Sequence, residues 1–182
     1  MKSLKTIICT VILINSIQIY SQDTLSIKFK FYKQQQKSLL LLSSWSAVNL
    51  IASPIFSNNL YSAKTSTDYF HQMNFNWNLI NAGIVTASHI LVHKDNKKPW
   101  NLDLISEKKK KAEKSILINM GLDLIYVISG FALNQTAKPN KDNFEINKGY
   151  GSSLMIQGGY LFLYDAIFLH RLKKIDAKPK FD

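Results

Sequence analysis

The chain has 182 residues, with 23 Lys and Arg against 12 Asp and Glu and a formal net charge of +11. That length is enough for one domain, and the lone cysteine, Cys9, excludes an intrachain disulfide and a cysteine-built metal site. The positive charge does not indicate a nucleic-acid partner, because the lysines border apolar stretches rather than interleaving with aromatics, and no nucleic-acid motif occurs.

Residues 1–21 have the form of a secretory signal peptide: Lys2 and Lys5, an apolar run from Ile7 to Ile14, and a small residue, Ser21, at the expected cleavage point. Residues 22–38 form a basic, polar lead-in, a short helix or tail. Residues 39–172 carry four long apolar stretches, at 39–57, 72–92, 115–137 and 151–169, each about the length of helix that crosses a bilayer core. Pro54 should kink or stop the first, and Ser57-Asn58-Asn59 reads as a turn. The second should end near His93, the third should run from Asp103 or Ser106 to about Leu133, and the fourth from about Ser152 to Leu172. Residues 173–182 form a basic tail. The expected fold is therefore all-α: a four-helix transmembrane bundle after an N-terminal signal peptide.

Polar residues recur inside the apolar stretches at helical spacing. Asn49 stands with Ser43, Ser46 and Ser53 on the first; Asn74, Asn78, Asn81 and His89 lie near one stripe of the second. Asn119, Asp123, Tyr126 and Gly130 follow one stripe of the third, and Gln157, Tyr164 and Asp165 share a face of the fourth. Facing lipid, these groups would be costly, so they should turn inward and bond to one another. Gly83, Ala87, Gly121, Gly130 and Gly159 are the expected points of close helix approach. Asp123 and Asp165 stand apart from the amides. An intramembrane carboxylate is expensive and marks a candidate site for a proton or an ion, and no Lys or Arg inside the stretches can neutralise it.

Basic residues concentrate before the first stretch, between the second and third, and after the fourth. With an even number of spans these segments share one side of the membrane, which the positive-inside rule would make cytoplasmic. A cleaved signal peptide instead delivers the mature N-terminus outside, and the two signals disagree. The expectation adopted is a bacterial inner membrane with a periplasmic N-terminus, the lysine clusters able to meet anionic head groups, and a second copy or a membrane protein as partner.

No phosphate loop, nucleophile elbow or catalytic carboxylate pair occurs. His89 and His93, four apart and without a Glu-x-x-His partner, do not make a metal or haem site, and no cofactor is expected. The segments Met73-Asn74-Phe75-Asn76-Trp77-Asn78-Leu79-Ile80-Asn81, Asn119 to Tyr126 and Gln157 to Asp165 resemble a family of small bacterial membrane proteins of unknown function. The resemblance covers about residues 30–172 and implies an exported N-terminus, four apolar helices and these same polar residues, without an activity. Three readings follow: a non-enzymatic membrane protein whose Asn/Asp/Gln/Tyr network fixes packing, a proton- or ion-coupled carrier using Asp123 and Asp165, and an exported soluble bundle, which a mean hydropathy of −0.07 allows.

Overall fold

The first glycine of the chain is Gly83 and the first proline Pro54, so nothing before them interrupts a helix. In the computed structural model, whose backbone is described for residues 2–176 and side chains for residues 24–176, α1 accordingly runs as one helix, Lys2–Phe56. The predicted signal segment, its cleavage point and Cys9 lie outside the residues whose side chains are described, as does the end of the basic tail. The lead-in at 22–38 is continuous with the helix that follows. Pro54 sits in the last turn and removes one amide donor, and α1 ends two residues later.

Three helices follow: α2, Ser66–Asn96, α3, Leu102–Thr136, and α4, Phe144–Lys173. No strand occurs among the described residues. Each helix is longer than the apolar stretch that predicts it, because polar helix formers extend it past the apolar run. α3 takes in the Glu107–Lys114 segment and α4 starts at Phe144 rather than near Ser152. Thr65 caps α2 in a capping box with Asp68. The Asn101 side chain caps α3, accepting from the Leu104 amide at 2.8 Å.

Successive helices run antiparallel. α2 packs on α1 and on α4, and α3 packs on α4. No Cα atom of α2 comes within 8 Å of one in α3, so these two helices meet only through side chains, as where Trp77 packs edge-on to Tyr126. The α3–α4 seam closes on glycine. A Cβ on Gly151 would lie 2.6 Å from the Gly130 carbonyl oxygen, and one on Gly158 would lie 2.7 Å from that of Asp123. Gly149 performs the same service against the start of α2. Gly83, Gly121 and Gly159 have nothing within 4 Å of such a Cβ, so of the predicted glycine contacts only Gly130 is one. Composition identifies small residues but not which side of the helix meets a neighbour.

The distribution of side chains is inverted relative to a water-soluble bundle. Ser46, Ser53, Asn74, Asn78, Asn81, Asp123, Ser153, Gln157 and Asp165 are buried. Leu40, Val48, Ile51 and Ile55 on α1, Ile80 and Leu91 on α2, Ile118, Ile128 and Phe131 on α3, and Leu163 on α4 are exposed. Among the described residues the clustered apolar core, Phe31, Ile116, Leu169, Leu172 and Ile175 with Trp100 against it, lies at the end where the lysines gather. The sequence predicts four membrane-length helices. Two of them, within Thr24–Phe56 and Leu102–Thr136, meet that description by length and apolarity, with mean hydropathies of 1.6 and 1.9.

A candidate functional site in the polar interior

Four heights can be distinguished along the bundle axis. At the end opposite the lysines, one carboxylate organises the α1–α2 turn. Asp68, 1 % exposed, receives on Oδ1 the Ser57 hydroxyl and the Asn58 and Asn59 amides at 3.0–3.1 Å. Its Oδ2 receives the Lys64 and Thr65 amides and the Thr65 hydroxyl at 2.9–3.4 Å. Burial alone would raise its pKa; the hydrogen bonds from the Thr65 hydroxyl, the Asn59 and Thr65 amides and the Ser57 hydroxyl outweigh burial and hold the carboxyl well below the usual range. Beside it, the Glu145 carboxylate accepts from the Ser66 amide and, at 2.6 Å, from the Ser66 hydroxyl, which ties the start of α4 to the start of α2. The Tyr150 hydroxyl donates to Gln72 Oε1 at 2.7 Å.

Next comes a layer in which amides satisfy one another. Trp45 Nε1 donates to Gln157 Oε1 at 2.9 Å, and Gln157 Nε2 donates to Asn74 Oδ1 at 2.9 Å and to Asn49 Oδ1 at 3.4 Å. Ser153 Oγ donates to Asn74 Oδ1 at 2.6 Å. The Trp45 ring stacks on Tyr160 with centroids 3.7 Å apart. α1, α2 and α4 are thereby pinned at one height, and three of the predicted residues, Asn49, Asn74 and Gln157, come together here.

One turn further the pattern changes. Asn78 is fully buried; its Nδ2 bonds the Asn74 carbonyl at 2.8 Å, and its Oδ1 has no partner. Asn81 Nδ2, Asp123 Oδ2 and Trp77 Nε1 are also buried without a partner. Tyr126 reaches this height by its ring, edge-on to Trp77 at 4.7 Å, and does not join by a hydrogen bond among the described residues.

The fourth height is a cavity of about 340 Å³ between α2 and α3, backed by α1 and α4. Tyr164 and Asp165 line it, with the Tyr164 hydroxyl 2.5 Å from Ser38 Oγ. Asp165 is 6 % exposed and makes no hydrogen bond among the described residues. Asn119 stands on the α3 wall of this cavity, exposed to it. His89 does not join the network: it is half-exposed and without a hydrogen bond among the described residues. Eight residues beyond Asn81, a helix has turned about 80° from the starting stripe; Val85 continues the buried line instead.

Past the cavity, Lys28 Nζ bonds the Asn96 and Lys98 carbonyls at 2.7 and 2.9 Å, at the C-terminus of α2. Lys28 and Lys108 both lie over the Trp100 ring, at 5.3 and 5.1 Å, and Lys108 pairs with Asp95 at 2.6 Å. Lys30, Lys33, Lys37, Lys97, Lys110 and Lys114 are exposed around the same end. Among the described residues no group of three or more His, Cys, Asp or Glu has the spacing to hold a metal ion.

Sequence reasoning missed Asp68, Glu145, Ser38 and Ser153. Asp68 carried a usable signal, since Thr65-Ser66-Thr67-Asp68 has the capping-box pattern ahead of an apolar run. The other three are paired by tertiary packing and have no local signature.

No curated protein matches this chain, and no solved structure does. A family model does match, over residues 41–166, the part that holds the amide layer, the unpaired layer and both interior carboxylates. The chain belongs to that family, a family of unknown function (DUF6992).

Proposed function

We propose that this protein is a non-enzymatic, integral bundle of a bacterial inner membrane, entered through a signal peptide, whose amide layer fixes helix register. The single observation that carries this reading is the inverted distribution of side chains. In water, each large apolar side chain left exposed forgoes about 1.5–3 kcal/mol of burial, and more than twenty are exposed here. In hydrocarbon that penalty disappears, while polar groups must turn inward. The same inversion disfavours an exported soluble bundle. The lysines at one end, with Trp100 among them, suit an interface with anionic head groups.

Single cysteines at Ser26, Lys64, Lys110 and Asn140, in a Cys9→Ser background, test the topology. Labelling of Ser26 and Lys110 from the periplasm, with Lys64 and Asn140 protected, is the expected result. Labelling of all four from that side, or release of the protein by alkaline carbonate without detergent, would exclude the spanning arrangement.

A second reading, a small proton- or ion-coupled carrier, is favoured by one feature: Asp123 and Asp165 are buried in an interior that holds no Lys or Arg. It requires a pH-dependent flux in proteoliposomes that Asp123→Asn abolishes; equal flux in that variant would exclude it.

A further inference from the structure

The amide layer and the Asp68 turn pair their polar groups across elements, whereas Asp165 on the cavity wall is paired with no hydrogen-bond donor among the described residues. Packing does not explain why Asp165 is held there. The residue is over nine-tenths buried, its carboxylate accepts no hydrogen bond among the described residues, and it lines a cavity of about 340 Å³. Asp123, the buried acid whose charge acts on it, has the same sign and cannot neutralise it. A carboxylate in such a place is stable only with a cationic partner or a proton.

The walls define what kind of cation fits. Hydroxyls and two amides share the cavity with Asp165: Tyr164 with its Ser38 partner, Ser88, Ser115, Gln35 and Asn119. Leu42, Ile84 and Phe168 face them. A bare divalent ion is held mainly by charged oxygens, and no second acid lines this cavity to balance its charge. An ammonium needs three acceptors, which a carboxylate and hydroxyls provide. Its hydrocarbon body would lie against the aliphatic wall and the Phe168 ring. The volume is at the lower end of the range of about 300–1,000 Å³ typical of small-ligand pockets.

We infer that this cavity is a binding site for a small organic amine with an apolar body, with Asp165 as the counter-ion of its ammonium group. The inference goes beyond the packing role proposed for the amide layer, and a failure of either leaves the other standing, since one is read by binding and the other by topology and melting.

Titration calorimetry with phenethylamine on the full chain in detergent tests it, with phenethyl alcohol as the neutral counterpart. Saturable binding of the amine is expected, with the alcohol much weaker. Asp165→Asn should weaken the amine by about thirtyfold or more, and Asp142→Asn, on the surface, should leave it unchanged. Ser115→Trp, which fills the cavity from α3 and leaves residue 165 an aspartate, should abolish binding while the protein melts normally. This variant decides the matter should Asp165→Asn fail to fold. Absence of saturable amine binding, equal affinity for the alcohol, or unchanged affinity in a folded Asp165→Asn or in Ser115→Trp would overturn the assignment.

Discussion

Asn74 and Asn78 sit one helical turn apart on the same buried stripe of α2, and they are treated in opposite ways. Asn74 Oδ1 accepts from Ser153 and from Gln157, while Asn78 Oδ1 accepts from nothing. The same residue type at the same burial thus serves two purposes. Where α1 and α4 bring donors to the right height, the amide holds helices in register. Asn81 on α2 and Asp123 on α3 likewise carry a buried atom without a partner, at about 1–3 kcal/mol for each unsatisfied group. One layer stabilises the bundle and the next layer draws on that stability.

Gln157 is the sharpest place to break this contrast. Gln157→Leu removes the acceptor of Trp45 and one donor of Asn74 in a single step. Trp45 Nε1 and Asn49 Oδ1 lose their Gln157 partner and Asn74 Oδ1 keeps only Ser153, so the variant should lose about 2–5 kcal/mol, read as an early shift of tryptophan fluorescence on heating in detergent. A melt unchanged from the parent would mean that the amide layer contributes nothing to register. Gly151→Ala comes next. The added methyl meets the Gly130 carbonyl and the Asn134 side chain, and α3 must move off α4, at about 1–3 kcal/mol. Gly159→Ala, facing open space, is the matched control and should melt like the parent.

The unpaired layer should respond in the other direction. Asp123→Leu removes an orphaned buried carboxylate and replaces it with an apolar side chain of similar length, so stability should hold or rise by about 1 kcal/mol. A loss as large as that of Gln157→Leu would show that Asp123 has bonding partners in the membrane, and the distinction between the layers would fail.

How far this was legible in the sequence depends on how local each cause is. Four helices, their breaks near Pro54, Pro99 and Pro139, and the buried line Asn74, Asn78, Asn81 all follow from spacing along one helix. The choice of Gly151 and Gly158 over Gly121 and Gly159 does not, because a helix that is apolar around most of its circumference gives no sign of which face meets a neighbour. The partner of Gln157 was unreadable for the same reason: Trp45 is brought to it from 112 residues away. The continuity of α1 was available in principle, since no glycine or proline precedes Pro54, but the change from apolar to basic composition suggested a boundary that the backbone ignores.

The comparison extends to its two extreme carboxylates. Asp123 has no donor, whereas Asp68 has six, and Asp68 should give the smaller but cleaner signal in pH. Its folded pKa lies below the ordinary value of 3.8. A depressed acid stabilises the fold fully above its unfolded pKa and progressively less as pH falls from there toward the folded value. The melting temperature should therefore be level from neutral pH down to about pH 4 and then fall, by about 5 °C as the α1–α2 turn loses its charge-assisted bonds. Asp68→Asn puts an amino group where amide donors converge, so it should melt lower at neutral pH and show a shallower acid fall. An acid fall as steep as the parent's in that variant would assign the acid sensitivity to other carboxylates, Glu145 at the same end of the bundle being the first to examine.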